Sequence, residues 1–316
     1  MISMHAHPVP ENIVCCYLYI ITQYGYPPAA QQTIQYLRQM QELGFSSVEL
    51  EGIREEHLLD IYNQRRQIRE TIDELELKVP YFCAVLPGLG SDSATERKAN
   101  LALFKKGCET AEVFNALGIL DNAPLPPYQF PADIPVVRHY EEEVLMAAGL
   151  PRGMKWKEYW KGLISTYREA CDMAAAFGLS YQMHPCAGVL SANTDAFLYF
   201  ADAVNRPNLR FNLDTANQFF LKDNLMLSLL RLEDHIDYIH LSDNGGHKVE
   251  HLVPGDGVIH WDGFFQAIAA IGFEGHYGID VGGAESTVGD IHEAYIKSAE
   301  WLKQRVSSIK AQIQHT

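Results

Sequence analysis

Two hydrophobic patterns alternate along this chain. Short runs of apolar, β-branched or aromatic residues are followed by longer stretches in which apolar residues recur every three or four positions. The short runs predict strands, and the longer stretches predict amphipathic helices. Because the runs are almost continuously apolar, both faces of each strand should be buried, as in a parallel sheet. The predicted strands comprise residues 13–20, 47–50, 79–86, 118–121, 179–184, 209–214, 236–241 and 275–281.

Eight helices are predicted to follow these strands. They comprise residues 28–43, 55–75, 95–117, 155–177, 194–205, 218–233, 262–271 and 290–309. Gly44, Gly118, Gly178 and Gly272 each stand at an expected helix end, where glycine adopts a left-handed backbone at low cost. Eight strand–helix units close most simply into one α/β domain, a (β/α)8 TIM barrel over residues 1–316. A doubly wound open sheet is the second choice.

A long segment interrupts this regular order after the fourth strand. Residues 122–152 contain six prolines and an acidic run at 141–143. In a barrel this insertion would lie over the C-terminal face, where barrel enzymes keep their active sites. We therefore expect an active-site cover, and a surface excursion with a short helix at 139–148 is an equal alternative.

Composition narrows the class of protein. The 316 residues carry 40 acidic and 25 basic side chains, a net charge of −15, which argues against a nucleic-acid binder. No apolar run approaches the roughly 20 residues of a membrane-spanning helix. The six cysteines form no C-x-x-C pair, so a reducing, cytoplasmic location is expected.

Polar residues end four consecutive predicted strands. Gln182, Asp214, His240 and Asp280 occupy similar depths on the fifth to eighth strands, and in a barrel such positions face one another at the carboxyl end. A buried strand end has little reason to carry an ionisable group unless the group is paired, catalytic or bound to metal. Three oxygen donors and one imidazole suit Mn²⁺, Mg²⁺, Co²⁺ or a similar ion.

The chain resembles the sugar isomerase/epimerase superfamily with the xylose-isomerase-like barrel. The resemblance rests on Gly-Phe-Ser-Ser-Val-Glu-Leu at 44–50, Asp-Thr-Ala-Asn at 214–217, His-Leu-Ser-Asp at 240–243 and the loop 251–261. It implies one divalent ion (Mn, Mg, Co or Zn) held by Gln182, Asp214, His240 and Asp280, where the family has Glu, Asp, His and Glu. It also implies that the residues on the fifth and eighth strands flank the substrate carbon as acid/base groups.

This sequence departs from the family pattern at three positions. Gln182 and Asp280 stand where the family has Glu, and Asn217 stands where it has His. An amide transfers no proton at useful pH and brings no charge, so metal affinity should fall and one base is missing. His184, on the same side of the strand as Gln182, is a substitute base or ligand. Asp280 and His184 are therefore the catalytic candidates, and the candidates for substrate binding are Glu49, Asn217, Asp243 and His251.

The resemblance implies an isomerase or epimerase of a sugar or keto-sugar. Gln182 favours a dehydratase or lyase as the first alternative, and a carbohydrate-binding barrel without catalysis is the second. An endonuclease is disfavoured by the negative charge. The expected partner is a small carbohydrate, with a homo-oligomer possible; Gly282 and Gly283 are candidates for a phosphate loop, so phosphorylation of the substrate stays open.

Overall fold

A closed ring of parallel strands organises the molecule. The computed structural model describes residues 9–131 and 140–313, and this part contains ten strands in two parallel sheets of order β2-β1-β10-β9-β8 and β3-β4-β5-β6-β7. The strands are β1 Ile13–Cys15, β2 Ser47–Val48, β3 Leu50–Ile53, β4 Tyr81–Val85, β5 Gly118–Asn122, β6 Ser180–His184, β7 Leu209–Phe211, β8 Leu213–Asp214, β9 Tyr238–Leu241 and β10 His276–Ile279.

The two sheets join because β2 continues into β3 and β7 into β8, each pair separated by one residue, Glu49 or Asn212. Counting β2 with β3 and β7 with β8 as one strand each, eight strands close into a barrel. The predicted TIM barrel is confirmed. Within the described residues the α-helices are α1 Leu18–Tyr24, α2 Thr33–Glu42, α3 Arg54–Glu74, α4 Ala94–Val113, α5 Glu142–Ala147, α6 Trp156–Ala176, α7 Thr194–Val204, α8 Thr215–Phe220, α9 Leu225–Leu232, α10 Trp261–Ala270 and α11 Ile291–Ile313.

The first predicted strand was too long. It ends at Cys15, and the apolar run continues into α1. Leu18, Tyr19 and Ile20 are fully buried, and the Tyr19 ring lies 5.0 Å from that of Tyr295 on α11. The first four residues of α1 are all buried, so they have the same continuous apolar pattern as a buried strand, and periodicity could not separate the two.

Two further corrections concern helix ends. The predicted helix 218–233 is two helices, α8 and α9, because Asp214 and Asn224 each cap a new start. Gly118 begins β5 and has no left-handed backbone; Asn115 (φ 57°) takes that conformation after α4 instead. A Cβ at Gly118 would lie 2.4 Å from Ser180 Oγ, so this glycine allows close strand packing rather than a turn.

The described ends of the insertion lie beside the carboxyl ends of β5 and β6. The backbone N–H of Ala123 donates to His184 O, and Leu190 N donates to Pro124 O. Gln129 and Gly149 form an antiparallel bridge. Part of the predicted helix 139–148 is present as α5, while residues 132–139 lie outside the described residues. Whether the insertion covers a site stays a prediction.

Aromatic rings fill the amino-terminal half of the barrel. The rings of Tyr81 on β4 and Tyr238 on β9 stack at 4.0 Å across the interior. The Tyr238 hydroxyl donates to Glu49 Oε2 at 2.8 Å. This aromatic layer therefore positions Glu49, a polar side chain of the layer above it. No helix among the described residues has the length and apolarity needed to cross a membrane.

Asp121 on β5 generates a stability prediction. Its Oδ1 accepts hydrogen bonds from the N–H groups of Leu86 and Asn122, but burial outweighs them and raises the pKa of Asp121 to about 8. The unfolded carboxyl titrates near 3.9, so ionisation favours the unfolded chain between about pH 4 and 8. Stability is lost as pH rises through this window, by up to about 1.4 kcal/mol per pH unit.

Asp121→Asn keeps the accepting oxygen and removes the ionisation. We expect its advantage in the free energy of unfolding to grow from pH 4 to pH 8, as measured by urea unfolding. Asp92→Asn, on an exposed loop side chain, is the matched control. Identical pH dependence in wild type and Asp121→Asn would contradict the assignment.

Candidate functional site

Three of the predicted ligands converge at the carboxyl end of the barrel. Asp214 ends β8, His240 lies beside it in register on β9, and Asp280 follows β10. Each belongs to two groups of side chains whose ligand atoms lie within 4.8 Å of one another; the groups are Cys16/His240/Asp280, His184/Asp214/His240 and Asp214/His251/Asp280. The three shared residues therefore surround one common region, and each is at most 3% exposed.

Gln182 is not placed with these residues. Its Nε2 donates to Ser180 Oγ at 2.8 Å and to Asp237 Oδ1, and both partners lie at the amino ends of strands. His184 instead brings Nε2 to 3.6 Å from Asp214 Oδ2. Two residues along a strand are about 6.7 Å apart. The prediction therefore chose the correct face of the strand, but a position one layer closer to the amino end of the barrel. His184 therefore brings a possible ligand atom to the cluster, and the Nε2 of Gln182 is engaged elsewhere.

A buried amide fixes which nitrogen of His184 carries the proton. Asn212 Nδ2 donates to Tyr238 O at 3.2 Å, which turns Asn212 Oδ1 toward His184 Nδ1 at 2.7 Å. Because that oxygen only accepts, Nδ1 carries the hydrogen. Nε2 is then the ring nitrogen that faces Asp214, 3.6 Å from its Oδ2.

Asp214 is held by the helix that it caps. Its Oδ1 accepts from the backbone N–H of Asn217 at 2.8 Å, and its Oδ2 accepts from Asn217 Nδ2 at 2.9 Å. The amide nitrogen of Asn217 orients Asp214, and the role of Asn217 in substrate binding stays a prediction. Its Oδ1 is buried without a hydrogen-bond partner.

His240 is held from one side by Glu49. Its Nε2 lies 3.1 Å from Glu49 Oε2, and its Nδ1 lies 3.7 Å from Asp280 Oδ2 with no hydrogen bond. Burial lowers the pKa of His240, but Cys16, Glu49 and Asp280 together raise it well above its usual range. Burial raises the pKa of the Cys16 thiol to about 12, so the two carboxylates carry the negative charge at neutral pH. The cluster thus stabilises buried positive charge.

Asp280 is packed against a second imidazole. His251 Nδ1 lies 3.4 Å from Asp280 Oδ2, 3.0 Å from the Asp280 carbonyl oxygen and 3.1 Å from Ser242 Oγ. On its other side, His251 Nε2 is 3.7 Å from Glu285 Oε1. His251 is fully buried, so the structure places this predicted substrate residue as a support for Asp280.

Asp243 serves the loop that follows β9 rather than the cluster. Its carboxylate accepts from Gly255 N at 2.7 Å, Ile259 N at 3.1 Å and Trp261 Nε1 at 2.7 Å. A Cβ at Gly257 would lie 2.3 Å from the same carboxylate. These contacts engage both oxygens of Asp243, and its role in substrate binding stays a prediction.

A narrow pocket opens beside the cluster. Its wall includes both imidazoles of the cluster, His184 and His240, together with Glu49 and Glu51. Its remaining lining residues are Tyr26, Cys83, Val85, Leu120, Asn122 and Cys186.

The sequence analysis overlooked two residues of the cluster, Asn212 and Cys16. Asn212 stands two residues before Asp214, so the two-residue period of a strand would have placed it on the same face.

Comparison with known proteins identifies the family of this chain. The sequence model of the xylose isomerase-like TIM barrel family matches residues 37–305. L-ribulose-5-phosphate 3-epimerase UlaE from Shigella boydii serotype 18 is 21% identical over 287 residues, which cover 89% of this chain and 92% of that protein. The match agrees with the resemblance inferred from the sequence.

Solved structures share the fold. A D-tagatose 3-epimerase-like protein gives a TM-score of 0.70 at 17% identity, covering 95% of this chain and 99% of that one. The 3-keto-D-glucoside 4-epimerase YcjR from E. coli gives 0.69 at 18% identity, covering 93% and 100%. At these identities the likeness shows the fold alone. The relatives are by name sugar epimerases, the enzyme class that the resemblance implied.

The position of Gln182 generates a prediction. Gln182→Glu would set a carboxylate against Asp237, whose pKa burial already raises. We expect a loss of stability on the order of 2 kcal/mol at pH 7.5, smaller near pH 4.5, in urea unfolding. Gln182→Met is the uncharged control. A variant that keeps its stability and binds Mn²⁺ more tightly than wild type would return Gln182 to the ligand set.

Proposed function

Because this chain belongs to the xylose isomerase-like TIM barrel family, we propose that it is a divalent-metal-dependent isomerase or epimerase-like enzyme of a sugar or keto-sugar. The observation that carries the proposal is the convergence of Asp214, His240 and Asp280 with His184 Nε2 at the carboxyl end of the barrel. The sugar-epimerase names of the relatives support the reaction class.

The residues present fit one divalent ion. Asp214 and Asp280 offer two carboxylates, and His184 and His240 offer ring nitrogens, with His240 giving up its proton when an ion binds. His240 Nδ1 is buried with no hydrogen-bond partner and faces Asp280, as expected of a nitrogen that is a ligand. Two imidazoles and two carboxylates suit Mn²⁺, Co²⁺ or Zn²⁺ better than Mg²⁺, which prefers oxygen. This narrows the ion range inferred from the sequence.

The proposed chemistry is proton transfer next to a carbonyl. A bound divalent ion polarises a substrate C=O and makes the neighbouring C–H acidic. Asp280 takes that proton as the general base, and His251 keeps its carboxylate in place. Asn217 holds Asp214, and Glu49 holds the His240 ring. The substrate occupies the pocket bounded by Glu49, Glu51 and the two imidazoles.

His184 limits which proton transfers can follow the abstraction by Asp280. Its Nδ1 hydrogen-bonds to Asn212 Oδ1, and its Nε2 faces Asp214. The Nε2 atom belongs to the ligand group with Asp214 and His240, and an atom serving as ligand cannot also move a proton. Asp280 is then the base that we assign among the described residues of the cluster. It can return the proton at the adjacent carbon or support elimination, whereas inversion needs a group on the other face.

The metal assignment predicts a binding hierarchy. We expect calorimetry to give one Mn²⁺, Co²⁺ or Zn²⁺ per chain, and Asp214→Ala to abolish binding. Asn212→Leu should weaken affinity by about 10- to 100-fold, the usual cost of losing the partner that orients a ligating histidine. His247→Ala, on an exposed loop, is the control. Binding that survives in Asp214→Ala, or no binding by wild type, contradicts the assignment.

The assignment of Asp280 as the single base predicts where the abstracted proton goes. With a keto-hexose in D₂O, we expect deuterium exchange with isomerisation or elimination, and slow inversion, as followed by NMR. Asp280→Asn should lower the exchange rate by about 10²-fold or more, with metal still bound. Fast inversion by wild type would show that a second acid/base group acts, and Glu51 in the pocket wall is the residue to replace next.

A further inference from the structure

Cys16 is a buried thiol that the proposed reaction does not use. It comes directly after β1, and its backbone N–H donates to Ile279 O on β10 at 3.3 Å. The two strands are neighbours in the ring, with Cys15 paired to Ile279, so Cys16 lies beside Asp280. Cys16 is fully buried. The thiol is therefore at the carboxyl end of the barrel, next to the proposed metal ligands.

The sulfur of Cys16 reaches the same space as two of those ligands. Its Sγ, one ring nitrogen of His240 and one carboxylate oxygen of Asp280 lie within 4.8 Å of one another. Ligand atoms of a zinc ion stand about 2.0–2.3 Å from it. The three atoms are therefore close enough to share one ion after small side-chain rotations.

A nitrogen without a hydrogen-bond partner points to a ligand in this space. His240 Nδ1 is buried and has no such partner, and it lies 3.7 Å from Asp280 Oδ2. A buried polar atom in this state is costly, and an ion bound between the two side chains removes the cost. Cys16 therefore adjoins a nitrogen that already has the properties of a ligand.

Gly278 on β10 keeps room for the sulfur. A Cβ at this position would lie 2.5 Å from Cys16 Sγ and 3.0 Å from His240 Cδ2. Gly278 pairs in register with His240 on β9, so its missing side chain leaves space inside the barrel at the level of the imidazole. Any larger residue there would push the thiol away from the cluster.

A hydrogen-bonded path leads from the thiol to a carboxylate. The Tyr238 hydroxyl donates to Glu49 Oε2 at 2.8 Å, so its oxygen accepts from the Cys16 S–H, 3.5 Å away. A divalent ion deprotonates a coordinating thiol. The S–H bond then breaks, the sulfur gives its electron pair to the ion, and the proton passes through the Tyr238 hydroxyl to Glu49.

We propose that Cys16 is a thiolate ligand of the divalent ion, beside His240 and Asp280, and that its sulfur gives the site a preference for Zn²⁺ or Co²⁺ over Mn²⁺. Soft thiolate ligands select zinc, whereas manganese prefers oxygen. This inference rests on the proposed function, because it adds a residue to the ion site proposed there. The ligand set implied by the family resemblance contains no sulfur.

Two spectroscopic measurements test for the sulfur directly. X-ray absorption by Zn²⁺-loaded wild type should show a sulfur neighbour about 2.3 Å from the ion, and this result needs no variant. Co²⁺-loaded wild type should show the intense near-ultraviolet charge-transfer band of a cobalt–thiolate bond. Cys16→Ser should lose the band. Cys171→Ser, which removes a fully buried thiol of α6, is the matched control and should keep it.

Metal affinity provides a second readout. Most sites bind zinc more tightly than manganese, so the comparison is between wild type and Cys16→Ser in competition calorimetry. Loss of a group that only supports a ligand costs about 10- to 100-fold in affinity. We therefore expect Cys16→Ser to lower the Zn²⁺ affinity by at least about tenfold and the Mn²⁺ affinity much less, while Cys171→Ser lowers neither.

Zn²⁺-loaded wild type without a sulfur neighbour would overturn the inference, as would a cobalt band that persists in Cys16→Ser. An equal fall in affinity for both ions would also overturn it, because Cys16 would then be a packing residue. If wild type binds the ion through nitrogen and oxygen alone, this inference fails and the proposed function stands. If wild type binds none of the three ions, the proposed function fails.

Discussion

Buried negative charge at the carboxyl end of the barrel is the constraint around which this structure is arranged. Glu49, Asp214 and Asp280 are at most 1% exposed, and an isolated carboxylate in such a place would be very costly. Each is therefore paired. Asn217 donates to Asp214, Tyr238 donates to Glu49, and His251 contacts Asp280. These partners do not neutralise the negative charge of Asp214 and Asp280. A divalent cation, or a protonated His240, can balance that charge.

The same constraint explains why residues distant in sequence are needed. The stacked rings of Tyr81 and Tyr238 form the floor, and the hydroxyl of Tyr238 orients Glu49, which in turn holds His240. The loop after β9 is shaped by Asp243, and it brings His251 back against Asp280. The barrel provides the positions, while hydrogen bonds from the second layer decide which atom of each side chain faces the cluster.

Strand-end positions such as Asp214, His240 and Asp280 could be predicted because parallel strands present alternate residues to the interior. The depth of a residue could not, since Gln182 and His184 share a face and only the register of β6 with its neighbours separates their layers. The helix Leu18–Tyr24 was hidden for a related reason, because its buried first four residues lack the polar face that marks a helix. Asn212 was overlooked because an amide does not itself titrate, yet it sets the tautomer of His184.

Gln182 stands where the family has Glu, and His184 is the side chain of this strand that faces Asp214. This arrangement has a chemical consequence beyond charge. A carboxylate has two oxygens, so one can bind an ion while the other moves a proton. An imidazole whose Nδ1–H is held by Asn212 has one lone pair to offer. Assigned to the ion, it leaves proton transfer to Asp280 on a single face. Under the proposed assignment, the fold and the bound ion would be those of a sugar epimerase while the stereochemical outcome changes, because inversion depends on a second proton-transferring atom and ion binding does not.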